Sequence, residues 1–158
     1  MGKRAVVITV SDGVSAGARD DGSGEALEEM LAGAGYDVAR DLVPDDREQI
    51  GAALIRAATT ADLVLTTGGT GFGLRDVTPE ATAEVLDREA PGLVQAMIAR
   101  GLEATPMAAL TRAKAGTLGN TLVINLPGSP RGATENLEAI LDVIPHALQL
   151  LSGDNQHH

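Results

Sequence analysis

The chain has 158 residues, with 12 lysines and arginines against 22 aspartates and glutamates, a formal net charge of -10, and no cysteine. That length suits a single domain, which buries about 70% of its unfolded surface and needs no staple. The acidic balance argues against a nucleic-acid partner, which requires clustered Lys and Arg, and the missing cysteine excludes disulfides, thiolate metal sites and a cysteine nucleophile.

The opening "MGKRAVVITVSDG" has too short an apolar run for a secretory signal, and no run approaches the roughly 20 residues of a membrane span. A cytoplasmic protein without membrane contact is expected. Within that opening, "RAVVITV" reads as a buried strand, followed by a loop "SDGVSAGARDDGSG". "GSGEALEEMLAGAG" then places Leu27, Met30 and Leu31 on one helical face and stops at Gly33 and Gly35. "YDVARDLV" is a second strand, and "DDREQIGAALIRAA" a helix with Ile50, Leu54 and Ala58 aligned.

"ADLVLTT" is a third strand, leading into "GGTGFGLRDVT". The next helix, "TPEATAEVLDRE", is expected to use Thr78 as N-cap with Pro79 at its first position. Residues 101–119 read as an irregular helix-and-turn excursion. "NTLVINL" is a fourth strand, followed by "LPGSPRG" and a helical stretch from Ala133 to Leu151 in which Pro145 predicts a kink or break. Strands alternating with helices imply right-handed crossovers, and the expected fold is α/β: a three-layer α/β/α sandwich with a mostly parallel central sheet. A single domain over residues 1–153 is expected. Residues 154–158, which include His157 and His158, form a tail or the remnant of a purification tag.

Ligands of open α/β sheets gather beyond the carboxyl ends of the strands, so the three glycine-bearing loops are where chemistry is expected. Each leads into a helix N-terminus, which carries about half a positive charge and free N–H donors suited to an anion. No standard phosphate motif is met. Gly68 and Gly73 have P-loop spacing, but Leu74 and Arg75 stand where Lys and Ser or Thr are required, and the dinucleotide fingerprint lacks its third glycine.

Taken together, "ITVSDGVSAG", "DDGSG", "TTGGTGFGLRDVTPE" and "LPGSPRG" resemble the MoaB/Mog molybdenum cofactor biosynthesis family, related to the gephyrin G domain, over Val6 to Leu151. The resemblance implies a free-standing molybdopterin adenylyltransferase. In that reaction the terminal phosphate of molybdopterin attacks the α-phosphate of ATP and releases pyrophosphate, with magnesium as cofactor. The resemblance also implies a homotrimer, in some members paired as a hexamer, with molybdopterin synthase and molybdenum insertase as pathway partners. Its two functional aspartates map onto Asp76 and onto Asp45 in "LVPDD", where Asp46 leaves the assignment open by one position.

Such a phosphate, with a second pKa near 6, needs no strong base, so the chemical demand is positioning and charge neutralisation. Asp76 is the candidate magnesium ligand. Asp45 is the second catalytic candidate, although either it or Asp46 could simply cap the following helix. Candidate substrate and nucleotide contacts are Ser11, Asp12, Asp20 and Ser23 in the first loop, then Gly68, Gly69, Thr70, Gly71, Arg75 and Thr78 in the second. Pro127, Gly128, Ser129 and Arg131 complete the set in the third. The glycines permit positive φ and close backbone approach, so alanine at Gly69 or Gly71 is expected to weaken binding more than folding. Two alternatives stand beside this reading: a molybdopterin-binding paralogue without catalysis, and an unrelated sugar- or nucleotide-phosphate enzyme on the same scaffold.

Overall fold

The computed structural model describes residues 3–153, and the terminal histidine pair lies outside them. Among these described residues six strands form one sheet in the order β2-β1-β3-β6-β5-β4. They are β1 (Arg4–Val10), β2 (Asp37–Val43), β3 (Leu63–Thr67), β4 (Arg88–Glu89), β5 (Ala115–Leu118) and β6 (Thr121–Leu126). β2, β1, β3 and β6 run parallel, while β5 and β4 are antiparallel additions at one edge. The four parallel strands are the four that β-branched and aliphatic runs predict.

Among the described residues seven α-helices flank the sheet: α1 (Asp12–Ser15), α2 (Gly22–Gly33), α3 (Arg47–Ala58), α4 (Thr78–Val85), α5 (Pro91–Ala104), α6 (Pro130–Ile140) and α7 (Ile144–Leu151). Side chains alternate across the pleat, so Val7, Leu63, Leu65 and Ile124 pack under α2, α5, α6 and α7, while Ile8, Val64 and Val123 pack under α3 and α4. The central strands are buried on both faces, as parallel strands covered by crossovers should be. Three layers result.

Three local expectations are corrected. Thr78 is not the N-cap of α4: Val77 holds that position without a side-chain bond, and the buried Thr78 hydroxyl donates instead to the Gly68 carbonyl at 2.9 Å. The helix read through Glu89 stops at Val85, and Arg88–Glu89 pairs with β5. The stretch 101–119 is more ordered than expected, comprising the end of α5, a 3-10 turn at Pro106–Leu110, and β5. At Pro145 the chain breaks rather than kinks, ending α6 at Ile140 and restarting with proline in the first turn of α7.

The buried Asn125 fixes the middle of the molecule. Its amide donates to Thr66 and Thr82 hydroxyls at 2.9 and 3.0 Å and its carbonyl accepts the Lys114 N–H, tying β6 to β3, to α4 and to the segment entering β5. Removing one partner would strand the others in an apolar interior, at about 1–3 kcal/mol per group.

Candidate functional site

In-register pairing matches Thr9 with Thr67 and Thr67 with Leu126, so β1, β3 and β6 end at the same height. Their loops therefore leave the sheet side by side. β1 neighbours β2 on one side and β3 on the other, so the crevice opens where successive crossovers diverge. Backbone contacts close the gap between the second and third loops: Gly68 N–H donates to the Leu126 carbonyl at 3.1 Å, and the Thr67 hydroxyl donates to the Pro127 carbonyl at 2.6 Å.

Between the loops lies a cleft of about 600 Å³, to which all three contribute. Ser11, Asp20 and Ser23 line it from the first loop, Gly68, Gly69 and Asp76 from the second, and Gly128 and Ser129 from the third. Asp45 reaches it from the loop after β2. A second hollow of about 430 Å³, walled by Met97, Ile98, Ala108, Leu110 and Pro127, opens beside the first and shares Ser129 with it. Thr70, Gly71 and Arg131 face this second space.

Asp45 and Asp46 occupy different places. Asp46 has extended backbone and caps α3, its carboxylate accepting the Gln49 N–H at 3.0 Å. Asp45 is left to turn inward. Its carboxylate accepts the Asp12 N–H while the Asp12 carboxylate accepts the Asp45 N–H, both at 3.0 Å, a reciprocal pair joining the loops after β1 and β2. Arg75 grips the same Asp12 carboxylate with two bonds, Nε at 2.8 Å and Nη2 at 3.1 Å, and so draws in the loop after β3.

The electrostatics divide these acids into two kinds. Hydrogen bonds from Arg75 and from the Asp45 N–H hold the Asp12 carboxyl below the usual aspartate range. Burial, reinforced by repulsion from Asp12 and Asp76, pushes the Asp45 carboxyl above that range despite its bond from the Asp12 N–H. Asp12 is compensated; Asp45 is not. Burial also lifts Asp21, but bonds from Thr9, Arg40 and the Gly24 N–H outweigh it and leave that carboxyl low. Asp21 caps α2.

Asp76 accepts the Gly73 N–H at 2.9 Å across a tight turn and presents its carboxylate to the cleft. The turn rests on Arg112, whose Nε donates to the Gly71 carbonyl and Nη2 to the Asp76 carbonyl, both at 2.8 Å, with Nη1 paired to Glu80 at 2.5 Å. Hydrogen bonding from Arg112 holds the Glu80 carboxyl low. Arg112 carries no sequence signal, because its partners are main-chain groups more than 30 residues away.

Arg131 is 86% exposed at its side chain and pairs with Glu135 one helical turn on. Ser129 caps α6, accepting the Gly132 N–H at 3.1 Å. Phe72 and Leu74 are exposed at the loop tip. Among the described residues no helix is long and apolar enough to cross a membrane.

Comparison with known proteins agrees with this geometry. Residues 6–146 match the family described as a probable molybdopterin binding domain. A molybdopterin adenylyltransferase of Helicobacter pylori strain J99 is 39% identical, with 94% of this chain and 87% of that protein covered. The Escherichia coli K12 protein of the same name is 36% identical over 95% of this chain and 86% of its own length. Among solved structures, the molybdopterin biosynthesis enzyme MoaB of Thermus thermophilus is 52% identical, covers 96% of this chain and 97% of its own, and superposes with a TM-score of 0.90. The strand-end cleft, its three glycine-bearing loops and its inward carboxylates thus sit in a chain that belongs to the molybdopterin-binding domain family of molybdenum cofactor biosynthesis proteins.

Proposed function

We propose that this protein is a molybdopterin adenylyltransferase, joining AMP from ATP to the terminal phosphate of molybdopterin. A phosphate oxygen of molybdopterin forms a bond to the α-phosphorus of ATP, the bond to the bridging α–β oxygen breaks, and pyrophosphate leaves. The observation that carries this reading is the convergence of all three loops, with Asp45 and Asp76, on one cleft. The names of the relatives support the same activity.

Phosphoryl groups suit the cleft, because the N-terminal residues of α2 and α6, including Gly22, Ser23 and Pro130, line it. The apolar second hollow, joined at Ser129, suits a flat heteroaromatic ring. Asp12 and Arg75 act in this scheme by holding Asp45 in place, and Thr78 by supporting Gly68 from below. Pro127, Gly128 and Ser129 shape the passage between the two spaces.

Magnesium fits the carboxylates present. Asp45 is pushed up by burial and by Asp12 and Asp76, which a dication would relieve, and Mg²⁺ uses only one or two carboxylates alongside substrate phosphates. Asp76 and Asp45 would hold it, and bound there it would neutralise charge on the ATP phosphates.

The homotrimer belongs to the same proposal, supported by α5, where only Met97 is fully buried while Leu102 is exposed. Molybdopterin synthase upstream and molybdenum insertase downstream are its pathway partners, and the cytoplasm is its expected location. The test is pyrophosphate release: it should require ATP, molybdopterin and magnesium together. Tight molybdopterin binding with no pyrophosphate released would leave a pterin-binding protein without transferase activity.

A further inference from the structure

We propose that Arg19, which neither the motifs nor the mechanism above employs, is the cation that binds the polyphosphate of the nucleotide in the cleft. The cleft wall contains four carboxylates, Asp20, Asp21, Asp45 and Asp76, and a single basic side chain, Arg19. A polyanion entering so acidic a space needs positive charge beyond helix termini and one dication. The other arginines near the three loops are committed elsewhere: Arg40 to Asp21, Arg75 to Asp12, Arg112 to Glu80 and Arg131 to Glu135. Arg19 has no ion-pair partner among the described residues.

Its position is built rather than incidental. The main chain folds back so that Ala18 and Arg19 N–H groups donate to the Gly13 carbonyl at 2.8 and 3.3 Å. The guanidinium then lies across Gly13 and donates from Nη2 to the Ser11 hydroxyl at 3.3 Å. Gly13 is helical and has no positive φ, so nothing in its backbone demands glycine. A Cβ at Gly13 would lie 2.8 Å from Arg19 Nε, so any side chain there would move the guanidinium off its present place. Glycine there seats the arginine. With a single long bond to a neutral hydroxyl, the guanidinium keeps donors available for phosphate oxygens.

This inference rests on the nucleotide reading for the identity of the anion, and the experiment separates the two. Titration calorimetry would measure inorganic tripolyphosphate and ATP binding, with magnesium present, to wild type, Arg19→Ala, Arg19→Lys and Gly13→Val, beside melting temperature and turnover. Arg19→Ala should weaken both ligands about 10- to 100-fold and raise KM for ATP, with kcat changed far less and Tm unchanged. Lysine should recover part of the affinity, and Gly13→Val should weaken both ligands with the charge intact. Tripolyphosphate binding by Arg19→Ala within twofold of wild type would overturn the assignment, as would a wild type that does not bind it. Retained turnover in the first case leaves the transferase reading standing. Arg19-dependent tripolyphosphate binding without adenylylated product would instead support Arg19 and remove the transferase.

Discussion

Gly69 is the residue where fold and site press hardest on each other. Its φ is +71°, and a Cβ there would lie 2.4 Å from the Thr78 Oγ1 and 3.1 Å from Asp45 Oδ1. Alanine in this left-handed conformation costs about 1–2 kcal/mol by itself. The Thr78 hydroxyl must also rotate away, abandoning its buried bond to the Gly68 carbonyl, for roughly another 1–3 kcal/mol. Gly69→Ala should therefore destabilise by about 2–5 kcal/mol, a fall in Tm of roughly 4–20 °C for a domain of this size. Thr78→Ala removes the obstructing hydroxyl, so the double variant should be more stable than the sum of the singles by about 1–3 kcal/mol. Urea unfolding of the four proteins measures this directly. Strict additivity, or a Gly69→Ala protein within about 1 kcal/mol of wild type, would refute the packing argument. Gly71 supplies the contrast. It has no positive φ, and its Cβ would meet only the tip of Asp76 at 3.1 Å, so Gly71→Ala should fold nearly normally and lose activity. Gly71 is therefore where the expectation that alanine harms binding more than folding can be tested, whereas at Gly69 folding should suffer too.

Asp45→Asn should raise stability at neutral pH while abolishing turnover. Because the native Asp45 pKa lies above its unfolded value, its ionisation removes stability as pH rises through the native value, and asparagine escapes that loss while still accepting the Asp12 N–H. Asp12, Asp21 and Glu80 have the opposite sign, contributing stability above their unfolded values that disappears as pH falls through the lower native ones. Thermal melts across pH would therefore show the Asp45→Asn gain at neutral pH and its absence in strong acid, where wild-type Asp45 is already protonated. Asp76→Asn keeps the turn bond to Gly73, so it should fold as wild type yet lose turnover on the order of 10²-fold or more in a magnesium-dependent pyrophosphate assay. Arg112→Ala should lose about 1.5–3 kcal/mol in urea unfolding, and Arg112→Lys should fail to restore it, since an ammonium cannot span Gly71, Asp76 and Glu80 at once.

Much of this molecule was legible in its residues because the informative patterns were local. The runs ending at Val10, Val43, Thr67 and Leu126 are β-branched or aliphatic and bounded by polar or glycine residues, and they form the parallel strands. Parallel neighbours with helical crossovers bring the loops after them to one edge, which is why glycine-bearing loops found by sequence line one cleft. What escaped was set by distant partners. β4 and β5 are short antiparallel strands at one end of the sheet, defined by pairing rather than by pattern, and α5 buries only Met97 completely, leaving a weak periodic signal. The proline rule located the start of α4 to within one residue, since Pro79 stands second in the helix rather than first, and Thr78 turns to Gly68 because the glycine loop between β3 and α4 folds back against the helix start. Asp45 and Asp46 are chemically identical in sequence, and only the extended backbone at Asp46 assigns the cap to one and the cleft to the other.

The cleft between the three strand-end loops is the proposed seat of the phosphates. A crystal structure with ATP or adenylylated molybdopterin is the direct measurement. It should place phosphate oxygens among Ser11, Gly69 and Ser129, with Asp45 and Asp76 facing them across a cation. Phosphates bound outside that cleft, with these three loops untouched, would contradict it.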